Sequence, residues 1–164
     1  MKLKKLTKTA IIAALYSVLT LTLAPVSFGI LQLRVSEVLT VLPKFSKSSI
    51  WGLTLGCLLS NYIGMAIMNT AGIIDVVFGT LATLLAAICS YLVRKSKWLV
   101  PLFPTLFNGI IVGGYLHFIA FKSINIFLCM LFVALGEGTV TYIIGIPFMN
   151  FIMKHKKIGE ILND

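Results

Sequence analysis

Apolar stretches of roughly bilayer-crossing length follow one another along the chain, separated by turns of only a few residues. A helix needs about 20 such residues to cross about 30 Å of hydrocarbon, so a sequence of this kind has few folds open to it. Charged residues make up 12% of the 164 positions, against about 25% in water-soluble domains, too few to coat a surface in water. The expected class is an all-α integral membrane protein, a single transmembrane domain occupying 1–164. Six helical spans are predicted near 9–25, 34–44, 50–67, 72–93, 100–120 and 125–152. The second is too short to cross unaided, and the sixth is long enough to tilt or project.

The net charge of +9 is distributed by topology. Lys2, Lys4, Lys5 and Lys8 precede the first span, Lys44 and Lys47 follow the second, Arg94, Lys95 and Lys97 follow the fourth, and Lys154, Lys156 and Lys157 follow the sixth. Twelve of the fourteen basic residues thus fall at alternate ends of a six-span path, leaving Arg34 and Lys122 on the other side. The positive-inside rule then predicts a multi-pass plasma-membrane protein with both termini cytoplasmic. A nucleic-acid partner is not needed to explain the charge. The basic start of the chain also resembles a signal peptide, but its apolar run is long for that role and no A-x-A site closes it.

Cys57, Cys89 and Cys129 lie far apart, each within a predicted span and without metal-ligand spacing, and read as packing residues. No G-x-S-x-G or H-E-x-x-H motif is present, so catalysis is not expected; nor are a metal and a cofactor. No G-x-x-x-x-G-K-[ST] loop is present either, so any coupling to ATP must come from another subunit. Small residues recur at helical spacing: Gly52, Gly56, Ser60 and Gly64 in the third span, Gly109 and Gly113 in the fifth, Ala10 and Ala14 in the first. The former two sets suit packing within the bundle. The first span, near the basic terminus and poor in polar groups, suits packing against another protein.

Glu37, Asp75 and Glu137 stand in or at the edge of spans, where a charge costs several kcal/mol unless paired or hydrated. Following the chain through the bilayer places Arg34, Glu37, Asn61, Asp75, Asn108, His117 and Glu137 largely in the outer half of the bundle, where a pocket open to the exterior would lie. Arg34 and Glu37, three positions apart, either neutralise one another in a salt bridge or arrange the carboxylate for a ligand, with Ser36 and Thr40 nearby. Asp75 and Glu137 have no basic partner evident from the sequence. His117 is either an interfacial residue or a member of the pocket. Phe28 reads as a lid or a surface aromatic, and Tyr62 as a stacking or packing ring.

The stretches LAPVSFGILQLRVSEVLTVLP, GLTLGCLLSN, DVVFGTLATLLAA, FNGIIVGGYL and GEGTVTYIIGIP resemble the QueT family, substrate-binding S components of energy-coupling-factor (ECF) transporters for queuosine precursors. The resemblance runs from about residue 10 to 148 and is most specific around Arg34, Ser36 and Glu37. It implies a six-helix S component that captures a deazaguanine, in its aminomethyl form, from outside. It further implies a transmembrane coupling subunit that docks on Ala10 and Ala14, two cytoplasmic ATPases, and toppling in the membrane to release the solute inward. The chemistry is compatible. A guanine-like edge suits a bidentate carboxylate such as Glu137 or Asp75, an aminomethyl ammonium suits Glu37, and Asn61 and Asn108 offer both donors and acceptors. The rival readings are an S component for another vitamin or nucleobase, an accessory membrane protein without a ligand, and a proton-coupled carrier.

Overall fold

A computed structural model describes residues 2–29, 31–68 and 72–162; Asp164, expected in a solvated tail, lies outside them. Among the described residues there is helix and no strand, as a hydrocarbon surround requires when every backbone N–H and C=O must find its partner within the segment. Helix α1 is Lys2–Thr22, α2 the ten-residue 3-10 helix Val35–Lys44, and α3 Ser48–Met68. Helices α4 (Asp75–Leu92), α5 (Leu102–Ile119) and α6 (Ile126–Lys154) follow, and a short α7 (Lys156–Leu162) closes the described chain. Four helices, α3 to α6, are long and apolar enough to cross a membrane. Helix α1 matches α3 in length but opens on four lysines.

Burial is inverted relative to a water-soluble domain. Ser17, Thr20, Ser36, Glu37, Asn61, Asp75 and Glu137 are buried, while Leu15, Val18, Ile67, Leu92, Phe127 and Ile143 are exposed on the helix faces. Such faces suit acyl chains rather than water.

Two close helix pairs frame the bundle. A Cβ added to Gly52 would stand 2.8 Å from Ile12 Cβ, and one on Gly56 would stand 2.7 Å from Tyr16 Cβ, so the small-residue stripe of α3 brings its backbone onto α1. Ser17 Oγ donates to the Gly56 carbonyl at 3.0 Å across the same contact. Gly109 and Gly113 do the same for α5 and α6, against Ala134 and Met130. Helix α2 lies between the pairs, with Glu37, Leu39, Thr40, Val41, Leu42 and Pro43 buried, and touches α1, α4 and α6. Leu39 and Leu42 join Tyr16, Leu53, Ala87 and Ile152 in the largest apolar cluster.

Three of the long helices contain a wide π-helical turn, at Asp75–Gly79, Asn108–Val112 and Thr139–Ile144. Such turns place one extra residue in the ladder and recur at functional sites. The third ends three residues before a proline, Pro147, which has no N–H to return to the preceding turn.

The segment joining α1 to α2 is drawn tightly over the bundle. The Leu31 carbonyl oxygen lies where a Cβ on Gly136 would fall, 1.7 Å from it, so only glycine admits this crossing over α6. Gly136→Ala is therefore expected to cost about 1–3 kcal/mol or more by overpacking, read as a lower midpoint of thermal unfolding in detergent. Gly114→Ala, whose Cβ would meet only the flexible Met130 Cε at 3.3 Å, should shift the midpoint far less. Equal midpoints would refute the crossing.

Candidate functional site: a buried polar cluster

Six of the seven predicted site residues meet in one region, delivered by five elements. Arg34 caps α2 and Glu37 lies in its first turn; Asn61 comes from α3, Asp75 from α4, Asn108 from α5 and Glu137 from α6. All six are buried. Asp75 and Asn108 each open a wide turn, and Glu137 lies two residues before one.

Of the two readings of Arg34 and Glu37, the mutual bridge is not the pairing that forms. Arg34 has an extended backbone at the N-cap (φ −82°, ψ 103°) rather than a helical one, so its side chain does not run along the α2 face. Its Nε donates to Gln32 Oε1 at 2.9 Å and to the Ser27 carbonyl at 3.3 Å. Its Nη1 donates to Asn61 Oδ1 at 3.1 Å, and Nη2 stands 3.6 Å from Asp75 Oδ1. Asp75 thus has the cation that the sequence did not reveal. It also accepts a hydrogen bond from the Tyr115 hydroxyl, while its backbone carbonyl accepts from Asn61 Nδ2 at 3.0 Å. Gly79 makes room for this knot, since a Cβ there would stand 2.8 Å from Asn61 Nδ2. Phe28 lies beneath the guanidinium, 5.0 Å from its ring centroid, within cation–π range.

Glu37 instead faces α1 and α6. Its Oε1 accepts from the Tyr16 hydroxyl, and its carboxyl neighbours that of Glu137, which in turn lies beside Asn108. Ser36 Oγ and Thr20 Oγ1 share a hydrogen bond of 2.6 Å, and Thr40 Oγ1 donates to the Glu37 carbonyl. Thr83 Oγ1 and Asn61 Nδ2 both reach Cys57 Sγ, at 3.2 and 3.4 Å, so this cysteine accepts hydrogen bonds as well as filling space.

Unpaired polar atoms concentrate here. Ser27 Oγ and Arg34 Nη2 are buried without a hydrogen-bond partner, and Glu37 Oε2 and Glu137 Oε1, on adjoining carboxyl groups that can share a proton with each other, receive no N–H or hydroxyl. Each such atom costs about 1–3 kcal/mol, more when charged, and several together in one place point to a ligand that completes them.

His117 does not join. Its Nδ1 bonds the Ile124 carbonyl at 2.8 Å and its ring stands edge-on to Phe118, at the turn between α5 and α6. Tyr62, beside Asn61 in sequence, is exposed. Tyr16, Ser27, Gln32 and Tyr115 take part in the cluster without having been singled out. Gln32 alone left a signal: it is a polar residue two positions before Arg34 in a short connection, and its left-handed backbone (φ 47°) carries its side chain back to the guanidinium.

The sequence matches the family described as QueT transporter over residues 6–154. The chain belongs to the QueT transporter family. A curated relative, the queuosine precursor transporter QueT of Lactococcus lactis subsp. cremoris (strain MG1363), is 42% identical over 77 residues. That stretch covers 46% of this chain and 42% of the relative, less than half the length of either. No solved structure matches the chain. The four apolar spans are in keeping with a family described as one of transporters.

Tyr115→Phe and Asp75→Asn remove two ends of one hydrogen bond. Their effects on unfolding should therefore fall short of additivity, with a coupling of about 0.5–3 kcal/mol in a double-mutant cycle. Strict additivity would separate the two groups.

Proposed function

We propose that the protein is the solute-binding S component of an ECF-type importer, and that its solute is a queuosine precursor, a deazaguanine in its aminomethyl form. The carrying observation is the gathering of four buried polar atoms from the α1–α2 segment, α2 and α6, in a chain whose family is described as one of transporters and whose relative is named for a queuosine precursor. The carboxyl groups of Glu37 and Glu137 supply acceptors for the ring and amine N–H groups, and Asn61 and Asn108 line the same space. Carboxylate acceptors paired with such donors make charge-assisted bonds, roughly twice as strong as neutral ones.

Six helices form the working unit in this reading: the four long spans, α1 as a fifth crossing, and α2 as a buried half-span that carries the site. Both termini face the cytoplasm of a cell membrane, which puts the lysine-rich ends at the anionic leaflet. The polar cluster then opens outward. ATP is hydrolysed by two partner ATPases, joined through a transmembrane coupling subunit. Ala10 and Ala14 are exposed on α1, on a face that also shows Leu3, Leu6 and Val18, and two alanines four apart admit close approach of a partner helix.

Purified protein should bind aminomethyl-deazaguanine, and Glu137→Gln should weaken binding at least about tenfold, in line with the loss of a charged hydrogen bond. Unchanged affinity would remove Glu137 from the site. Ala10→Leu with Ala14→Leu should keep full binding yet abolish uptake by cells that contain the coupling module. Normal uptake would move the docking surface elsewhere.

A further inference from the structure

The unpaired atoms of the cluster are of two kinds, and the kinds are segregated. Arg34 Nη2 stands on the side of Asn61 and Asp75, with Ser27 adjoining the same arginine through its carbonyl; the carboxyl groups of Glu37 and Glu137 stand on the side of Tyr16 and Asn108. A guanidinium can only donate and a carboxylate can only accept. The arginine is also held from behind. Gln32 and the Ser27 carbonyl take Nε, Asn61 takes Nη1, and Asp75 at 3.6 Å attracts Nη2 without saturating it. Arg34 and Glu37 are one 3-10 turn apart, a rise of about 6 Å, comparable with one edge of a fused bicyclic base.

A guanine-type ring carries along one edge a carbonyl, a ring N–H and an exocyclic amine, in that order. We infer that the site fixes this edge in a single direction, with the ring carbonyl on Arg34 Nη2 and Ser27 Oγ, and the ring N–H and exocyclic amine on Glu37 Oε2 and Glu137 Oε1. This rests on the deazaguanine reading above and adds a direction to it. Because the two carboxyl groups are neighbours, they serve one edge together, and Glu37 is not reserved for an aminomethyl ammonium. Asp75 and Tyr115 become positioning residues, which hold the guanidinium through the Tyr115–Asp75 hydrogen bond and the Asp75–Arg34 ion pair.

Three probes test the direction on the full-length protein by calorimetric titration: aminomethyl-deazaguanine, its analogue with the ring carbonyl replaced by an amine, which also removes the neighbouring ring N–H, and its analogue lacking the exocyclic amine. Arg34→Lys and Ser27→Ala should weaken the two carbonyl-bearing probes, about tenfold or more for the arginine, and leave the analogue without the carbonyl within about twofold. Glu137→Gln should do the same to the two probes that carry the exocyclic amine and spare the one that lacks it. Asp75→Asn and Tyr115→Phe should follow the arginine pattern, which a merely structural role would not produce. Ser27→Ala, the smallest change, keeps the test open if the charged variants fail to fold. Penalties shared equally by all three probes, or the crossed pattern, would overturn the orientation while leaving the solute in place. Failure of the unmodified protein to bind any probe would overturn the solute assignment and the orientation with it.

Discussion

The pairing of Arg34 with Asp75 is the constraint around which the rest of the bundle is arranged. A lone guanidinium or carboxylate at this depth would cost several kcal/mol, and breaking such a pair by removing one partner typically costs about 3–5 kcal/mol. The pair ties the start of α2 to the start of α4, and Asn61 ties both to α3. Tyr115 extends the tie to α5. Four elements are thereby joined through hydrogen bonds and charge, in a surround where no hydrophobic force drives helices together.

A second set of groups lies on the far side of α2. Tyr16, Glu37, Asn108 and Glu137 link α1, α5 and α6 around two carboxyl groups that no cation neutralises directly. The division of labour is physical. The arginine knot has most of its bonds made within the protein, and the carboxyl pair has an oxygen left over on each side. Stability concentrates in the first, although each set keeps polar atoms that the protein itself does not bond.

Much of this was legible in the sequence, because lipid makes polar residues expensive and therefore informative. Glu37, Asn61, Asp75, Asn108 and Glu137 stood out against apolar surroundings, and the structure gathers them. The pairing of Arg34 was not legible, since the i,i+3 rule holds within a helix and this residue sits at a cap with extended backbone. Tyr16 and Tyr115 were invisible for a different reason: in an apolar helix a tyrosine reads as a packing ring until the partner of its hydroxyl is known. His117, left open between interface and pocket, lies at the end of its span as chain position placed it, and the turn after α5 supplies a carbonyl for its ring. The shortness of α2 was plain from its length, but its 3-10 winding was not.

The three wide turns bear on what changes in length the chain tolerates. Each holds one residue more than an ordinary α-helical turn, and each adjoins a residue of the cluster, Asp75, Asn108 or Glu137. Deleting one residue there lets the helix relax to regular winding with the side chains beyond still in phase, whereas deleting one from an ordinary turn swings every side chain beyond by about 100° around the axis. Lipid-facing leucines would turn inward and polar groups outward. Span length in this protein is thus set by rotational phase as well as by the thickness of the bilayer.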